Sequence, residues 1–205
     1  MKLYGFPGTR AQRALWGLKE VAADFDYVSV NLLEGEHRRP EFLRINPAGK
    51  VPVLIDGDRV IPESAAIVLY LAEKYPEKAL LPVDLEARAQ AYRWTMFAVT
   101  ELEQPLWRMT RHMGLYPPEK RLAAEKELAR EDFVAMASIL DQHLEAREFI
   151  VGNALSVADC VTVYLMDWAN ELHLLDGFAR LTAYMERLYA RPEAPQRIAE
   201  AQKAA

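Results

Sequence analysis

The first part of the chain alternates between strand-like and helix-like patterns of apolar residues. Ala14, Leu15, Leu18 and Val21 recur at the spacing of an amphipathic helix, whereas short alternating runs on either side are typical of strands. Two of these runs flank Asp56-Gly57-Asp58, a sequence that favours a hairpin because its residues tolerate positive φ. The predicted strands cover residues 2–6, 27–31, 51–55 and 59–61, and the predicted helices cover residues 11–21, 40–45 and 64–74. The order βαβαββα predicts one mixed sheet with helices on its faces.

The second part of the chain shows only helical spacing. A proline-containing stretch, residues 75–82, is interpreted as the linker. Pro105 lies inside the first helical pattern and predicts a kink or a break there. A second long helix is predicted to begin at Pro117-Pro118, and a third to cover residues 156–173. The apolar positions expected to face inward from the first helix are Ala89, Tyr92, Met96, Val99, Leu102, Leu106, Met109 and Met113.

Composition and charge narrow the classes of function. The 205 residues are 51% hydrophobic and 27% charged, which is enough apolar material for a globular core. The formal net charge of −5 argues against nucleic-acid binding, which needs a positive surface. No apolar run approaches the about 18 residues of a membrane span. Because Cys160 is the one cysteine and cannot form an internal disulfide, we expect a cytoplasmic protein. No residue spacing suggests a metal site.

Two segments of the first part have specific sequences. Residues 46–55 are NPAGKVPVLI and residues 61–64 are IPES. Pro52 enters a predicted strand, where a cis bond from Val51 is tolerable and would turn the backbone of Val51 outward to pair with an extended peptide. The alternative is an ordinary proline at a strand edge. Glu63-Ser64 lies at a predicted helix start, where free N–H groups and the helix dipole favour an anion. The alternative role for Ser64 is that of an N-cap.

With the βαβαββα order, these segments resemble the glutathione transferase superfamily, most closely its theta-like and phi-like bacterial relatives. The resemblance covers essentially the whole chain. It implies an α+β protein with a thioredoxin-like domain at residues 1–78, which binds glutathione, and an all-α domain at residues 84–205, which lines the pocket of the second substrate. It also implies a transferase of alkyl or aryl groups that conjugates glutathione, as a co-substrate and with no other cofactor, to an apolar electrophile. We further expect a role in detoxification and a homodimer.

The resemblance also assigns candidate glutathione contacts. Val51 would grip the cysteine of glutathione through its backbone, and Glu63 and Ser64 would hold the γ-glutamyl end. For the glycyl carboxylate the candidates are His37, Arg38 and Lys50. An exposed role in solvent is an open alternative for Arg38 and is favoured for Arg39.

The residue that activates the thiol follows less directly from the resemblance. The family uses Tyr, Ser or Cys near the first strand and helix, and residues 6–13 here are FPGTRAQR, without Cys or Ser. Thr9 stands where similar segments carry Ser, so we favour Thr9, with Arg10 supplying positive potential. Tyr4 is the other hydroxyl and is expected to pack in the core. A lowered thiol pKa is what makes such a sulfur nucleophilic at neutral pH.

The helical part has candidate residues of two kinds. Trp107, Met109, Met113 and Tyr116 are predicted to line the second-substrate pocket, because this region faces the first domain in the family; ordinary helix packing is the alternative for each. Ser156 to Asp159 resembles the family's capping box, a folding element. Competing functions are a non-catalytic ligand carrier or protein-interaction module, and a glutathione-dependent isomerase, dehalogenase or peroxidase of the same superfamily.

Overall fold

The computed structural model describes residues 1–203, which form two compact units. The first unit contains Met1–Val83 together with the chain from Leu188 onward, and the second contains Asp84–Arg187. The predicted second domain ran to residue 205, whereas the end of the chain packs with the first unit. Its contacts there explain why: the guanidinium of Arg191 donates two hydrogen bonds of 3.1 Å to the carboxylate of Glu20, and the ring of Tyr189 lies 5.2 Å from that of Trp16.

The first unit has the predicted order βαβαββα. Its strands are β1 (Lys2–Gly5), β2 (Asp26–Ser29), β3 (Val53–Asp56) and β4 (Arg59–Pro62), and its helices are α1 (Ala11–Glu20), α2 (Pro40–Ile45) and α3 (Ser64–Lys74). Single turns of 3-10 helix occupy Glu36–Arg38 and Pro76–Lys78. The sheet order is β2-β1-β3-β4, with β1 parallel to β2 and antiparallel to β3, and with β3 antiparallel to β4. This confirms the mixed, thioredoxin-like sheet.

Helices α1 and α3 pack against each other closely. A Cβ atom at Gly17 of α1 would lie 3.3 Å from Leu71 Cδ1 and 3.5 Å from Val68 Cγ2 of α3, so a larger side chain there would push the two helices apart. The fully buried core of this unit includes Leu3, Ala14, Trp16, Leu18, Val53, Leu54, Ile67, Val68 and Leu71. This packing holds the beginnings of α1 and α3, where the candidate site residues lie.

The second unit is helical. Its elements are α4 (Leu85–Phe97), α5 (Glu103–Thr110), α6 (Ala123–His143), α7 (Val157–Glu171) and α8 (Ala179–Tyr189). The last two residues of α8 and the whole of the final helix, α9 (Ile198–Lys203), belong to the first unit. A 3-10 turn at Pro118–Lys120 precedes α6, so the predicted start at Pro117 was early. Among residues 1–203, no helix has the length and apolarity needed to cross a membrane.

Pro105 does not break its helix. A π-helical turn at Ala98–Leu102 joins α4 to α5, and the N–H of Glu103 donates to the carbonyl of Ala98, five residues back. The wide turn therefore lies just before Pro105 and accommodates the ring that a regular helix would exclude. A second π-helical turn, Arg111–Leu115, follows α5 directly.

The inward face predicted for α4 was wrong. Tyr92 and Met96 are 38% and 45% exposed, whereas Trp94 is 3% exposed and Ala91 and Ala98 are fully buried. Two apolar stripes run along this helix, and hydrophobic spacing alone does not distinguish the stripe that packs inside from the one that stays outside.

Candidate active site

The start of α3 is an open helix terminus. β4 ends at Pro62, and Glu63 then takes φ 70° and ψ 114°, a conformation that is strained for a residue with a side chain. The side chain of Glu63 forms no capping hydrogen bond, so the first turn retains donors that the helix itself does not satisfy. The helix start can therefore receive an anion.

A buried cation stands beside this helix start. Nη1 of Arg13, in α1, donates to the hydroxyl oxygen of Ser64 over 3.2 Å, and the two residues are 1% and 5% exposed. The Ser64 oxygen thus accepts from Arg13 and still has its own proton to give. Sequence reasoning did not identify Arg13, since its contact is 51 positions away along the chain. No clear signal for it exists in the sequence, because Gln12 and Arg13 are adjacent polar residues and only the fold shows that positions 11–14 of α1 are all buried.

The Val51–Pro52 peptide bond is cis, as the sequence predicted. The loop before it is ordered by Asn46, whose Nδ2 donates to the carbonyl of Lys50 over 2.8 Å and whose Oδ1 accepts from the N–H of Ala48 over 3.1 Å. Asn46 is itself 6% exposed. Its two hydrogen bonds give the NPAGK part of the motif a structural role, which is to fix the backbone that leads to Val51.

His37 and Arg38 pack against the same loop. Gly49 has φ 60°, and a Cβ atom there would lie 3.0 Å from the carbonyl oxygen of His37 and 3.2 Å from Nη1 of Arg38. Burial, and secondarily the charge of Arg38, lowers the pKa of His37, and its Nδ1 has no hydrogen-bond partner among residues 1–203. His37 is therefore a neutral donor at neutral pH, and the positive charge at this loop comes from the exposed Arg38 and Lys50.

Arg39 lies at the surface, as the sequence predicts. It is exposed, and its guanidinium pairs with Glu36 over 3.1 Å.

Thr9 lies in the turn before α1. Its hydroxyl donates to the carbonyl of Phe6 over 2.6 Å and accepts from the N–H of Ala11 over 3.3 Å. Arg10 is the N-cap of α1, and its side chain forms no capping bond. Tyr4 packs with Val30, Phe42 and Val53, and its ring lies 6.3 Å from that of Phe42, which agrees with the core position expected for it.

The residues predicted for the second substrate divide into two groups. Trp107 and Tyr116 both contact Arg111, whose guanidinium carbon lies 6.0 Å from the centre of the Trp107 ring and 4.4 Å from that of Tyr116. Met109 is two residues after Trp107, about 200° round the helix axis, and therefore faces a different side. Met113 is 46% exposed. The structure brings Trp107 and Tyr116 together through a residue that sequence reasoning had not singled out.

The capping box at the start of α7 is present. Asp159 is fully buried, and its carboxylate accepts from the N–H and the hydroxyl of Ser156 over 2.9 and 2.7 Å. The N–H of Ile150 and the hydroxyl of Tyr184 also donate to it, each over 2.9 Å. Burial raises the pKa of Asp159, and these hydrogen bonds oppose that shift. Cys160, next to it, is fully buried, as expected of a small apolar residue.

Comparison with known proteins agrees with this architecture. Residues 1–73 match the family model of the glutathione S-transferase N-terminal domain, and residues 105–192 match that of the C-terminal domain. Glutathione S-transferase F10 of Arabidopsis thaliana is 33% identical over 190 residues, 88% of each chain. Glutathione S-transferase GstA of Escherichia coli O157:H7 is 30% identical over 200 residues, 94% of each chain.

The fold comparison gives the same assignment. The crystal structure of glutathione transferase F7 from Populus trichocarpa superimposes with a TM-score of 0.85 at 25% identity, over 98% of each chain. Together, the two matched domains, the full-length relatives and the shared fold show that this chain belongs to the glutathione S-transferase family.

Proposed function

We propose that the protein conjugates glutathione to electrophilic small molecules. In the reaction, the glutathione thiol gives up its proton to solvent, the sulfur forms a bond to an electrophilic carbon, and the leaving group departs with the electron pair of the broken bond. The observation that carries the proposal is the open start of α3, where Ser64 faces the buried guanidinium of Arg13. A protein that used the fold only as a scaffold would have no need of a buried cation at that place.

We assign the three parts of glutathione to three groups of residues. The γ-glutamyl carboxylate would accept from the Ser64 hydroxyl and the first N–H groups of α3, with the charge of Arg13 behind them. Glu63 would orient the γ-glutamyl amino group. The main chain of the cysteine would pair with the backbone of Val51, in the manner of an added strand.

The glycyl carboxylate is assigned to His37, Arg38 and Lys50. His37 contributes a neutral N–H donor because its pKa is lowered, and the two exposed cations contribute charge. Their shared attachment to the loop at Gly49 supports this grouping.

Activation of the thiol is assigned to the turn before α1. Thr9 would turn its hydroxyl from the Phe6 carbonyl to the sulfur, and Arg10 and the N-terminus of α1 would add positive potential. The electrophile, which is an apolar ring compound in this proposal, is assigned to the pocket residues Trp107 and Tyr116, with Met109 and Met113 as further lining.

Titration calorimetry tests the proposal directly. Glutathione should bind with an affinity in the range of about micromolar to millimolar, and the dipeptide Cys-Gly, which lacks the γ-glutamyl group, should bind at least about tenfold more weakly. Arg13→Met keeps the length of the side chain and removes its charge, and it should weaken glutathione binding much more than Cys-Gly binding. Wild-type protein should also conjugate 1-chloro-2,4-dinitrobenzene. Glutathione binding without any conjugation of a panel of aryl halides would support a non-catalytic carrier instead.

We also propose a homodimer. The outward stripe of α4, with Tyr92 38% and Met96 45% exposed, is apolar, as are Leu128, Val134 and Ile139 on α6, which are 38–49% exposed. Apolar surface of this kind favours association with a second copy of the chain. Light scattering at low micromolar concentration should give twice the mass of one chain, and Met96→Lys should shift it toward the monomer. A wild-type protein of single-chain mass would contradict this proposal.

A cytoplasmic location and a role in detoxification complete the proposal. They are supported by the single, buried Cys160, which needs no oxidising compartment, and by the proposed reactivity toward electrophiles. Fractionation of the source cells, followed by a challenge with an aryl halide in the presence and absence of the protein, would test both.

A further inference from the structure

The surface around α5 contains a guanidinium held between two aromatic rings. We define the aromatic–arginine cluster as Trp107, Arg111, Tyr116 and Trp168. Arg111 contacts the rings of Trp107 and Tyr116, and the ring of Trp107 meets that of Trp168 edge-on, with 6.4 Å between their centres. Cation–π contacts orient a guanidinium but leave its N–H donors, which lie in its plane, available to other groups.

The π-helical turn brings the cluster together. Trp107 and Arg111 are four residues apart in a helix and so share a face. In a regular α-helix Tyr116, five residues further on, would point about 140° away from Arg111. Here its N–H donates to the carbonyl of Arg111 over 2.8 Å, the five-residue bond of a π turn, and this returns position 116 to the side of position 111.

Neighbouring polar groups fix the cluster in place. Nε of Arg121 donates to the Tyr116 carbonyl over 2.7 Å, which holds the end of the turn. Nε1 of Trp168 donates to the hydroxyl of Thr110 over 3.1 Å, which holds the indole. The ring of His112 also contacts that of Tyr116, with 5.0 Å between the ring centres. A site whose side chains are held before the ligand arrives loses less entropy on binding.

Arg111 and Arg108 differ in their partners. Arg108, almost one turn earlier, is neutralised by Glu125 over 3.0 Å and by Asp132 over 2.5 Å. Within residues 1–203, Arg111 contacts the two rings and forms no ion pair with a carboxylate. It is also half-buried, so its charge is less screened than that of a fully exposed arginine. The donors of Arg111 are therefore available for an anion from outside the protein.

We propose that the aromatic–arginine cluster selects electrophiles that carry both an aromatic ring and an anionic group, such as a carboxylate. The ligand's carboxylate would accept two parallel hydrogen bonds from Arg111, and its ring would pack beside the guanidinium, against the parts of Trp107 and Tyr116 that remain exposed. This inference rests on the proposed conjugation reaction and changes its expected substrate, from a purely apolar compound to an aromatic acid.

A matched pair of substrates tests this selectivity. 4-Chloro-3,5-dinitrobenzoate and its methyl ester react alike: sulfur bonds to the chlorine-bearing carbon and chloride leaves. Each kcat/KM is divided by the uncatalysed rate constant with glutathione, and the acid-to-ester ratio is then compared between variants. Arg111→Met should lower this ratio by about tenfold to a hundredfold, through a higher KM for the acid. An unchanged ratio, whether kcat/KM falls equally for acid and ester or for neither, would overturn the proposal.

Two further variants serve as controls. Arg111→Lys keeps the charge and loses the planar fork, so its ratio should lie between those of the wild type and Arg111→Met. Lys120→Gln removes a charge from a nearby exposed position outside the cluster and should leave the ratio unchanged. An equal drop of the acid-to-ester ratio in Lys120→Gln would mean that the ratio depends on surface charge in general, and it would also overturn the proposal. Activity toward the ester and an unchanged melting temperature verify that Arg111→Met is folded.

A binding measurement separates this inference from the proposed reaction. Unreactive 3,5-dinitrobenzoate should quench tryptophan fluorescence at lower concentration than its methyl ester does, and Arg111→Met should remove the difference. If neither chlorinated substrate is conjugated but this difference persists, the proposed function fails and the anion site stands. If conjugation proceeds and the difference is absent, the anion site fails and the function stands.

Discussion

Two helices of this protein have a serine at their start, as the N-cap of α7 and as the first residue of α3, and the two starts are built differently. At the start of α7, the N–H and the hydroxyl of Ser156 and two other donor groups meet the buried carboxylate of Asp159, so the protein satisfies this terminus from within. At the start of α3, the N-cap residue Glu63 offers the helix no side-chain acceptor, and Ser64 is contacted by the cation of Arg13. One terminus is closed by an anion of the protein, and the other is left open beside a positive charge.

The comparison shows how the same local chemistry serves folding in one place and binding in another. Both termini have N–H groups that a helix cannot satisfy internally. A carboxylate within the chain, as at Asp159, makes the terminus part of the fold. Where a cation stands beside the terminus, as Arg13 does at α3, the terminus favours an anion supplied by a ligand. Substitutions at α7 should therefore change stability and leave affinity alone, and substitutions at α3 should change affinity more than substitutions at α7 do.

The largest effect is expected at the closed terminus. Asp159→Ala removes the acceptor of four hydrogen bonds in a fully buried position, so we expect the free energy of unfolding to fall by about 3–5 kcal/mol. That exceeds the about 0.5–2 kcal/mol of an isolated cap. The melting temperature should fall by about 6–20 °C in thermal unfolding. The affinity of the remaining folded protein for glutathione, measured below that temperature, should equal that of the wild type.

An isosteric control sharpens this prediction. Asp159→Asn keeps one acceptor oxygen in place and should cost less than Asp159→Ala. An unchanged melting temperature in Asp159→Ala would contradict a closed terminus. Unchanged stability together with lost glutathione affinity in this variant would mean that the start of α7 serves binding and not folding.

Features that depend on local sequence were predictable. The capping box from Ser156 to Asp159 lies within four residues, and the cis bond before Pro52 lies in a motif of ten, so each could be identified without the fold. The order of strands and helices in the first unit follows from hydrophobic spacing for the same reason. Arg13 could not be assigned, because its role depends on α1 and α3 packing side by side, a contact that the sequence does not encode locally.

Errors in the helical unit have a related origin. Hydrophobic spacing placed Tyr92 and Met96 inside, because their stripe is as apolar as the one that contains Trp94. The π-helical turns at Ala98–Leu102 and Arg111–Leu115 then shift the helical phase, which no period of 3.6 residues can anticipate. Arg111 was missed for this reason, although Trp107 and Tyr116 on either side of it had been singled out.

The next largest effect is expected at the open terminus. Ser64→Ala removes a hydroxyl donor to the γ-glutamyl carboxylate, a hydrogen bond to a charged group worth about 1.5–3 kcal/mol, so glutathione should bind about tenfold to 150-fold more weakly by calorimetry. The free energy of unfolding should fall by about 1–3 kcal/mol, less than in Asp159→Ala, because the buried Arg13 guanidinium loses one acceptor.

Arg13 gives the matching control. If Arg13 acts on the ligand through Ser64, the Arg13→Met and Ser64→Ala effects on affinity should be non-additive in a double-mutant cycle. Wild-type affinity in Ser64→Ala would show that the open terminus does not hold the γ-glutamyl group.

The smallest effect is expected at a third helix start, that of α1. Thr9 is part of neither arrangement, since its hydroxyl proton is used by the Phe6 carbonyl over 2.6 Å while its oxygen accepts from Ala11. If that proton turns to the thiolate, the hydroxyl loses one hydrogen bond and gains another, so the net stabilisation of the thiolate is modest. Thr9→Val, which keeps the side-chain shape, should raise the pKa of bound glutathione by about one unit, equivalent to about 1.4 kcal/mol. Thr9→Ser should restore it.

The measurement follows thiolate absorbance in the ultraviolet against pH, together with turnover at neutral pH. Turnover in Thr9→Val should fall by about tenfold, as the thiolate fraction falls, and should recover at higher pH because the thiolate then forms without the hydroxyl. Glutathione affinity should barely change. Arg10→Met tests the alternative that charge activates the thiol, and Tyr4→Phe tests the hydroxyl that packs against Phe42. If the thiol of bound glutathione titrates in Thr9→Val as it does in the wild type, but titrates differently in Arg10→Met, the start of α1 acts through charge. In that respect it would resemble the start of α3.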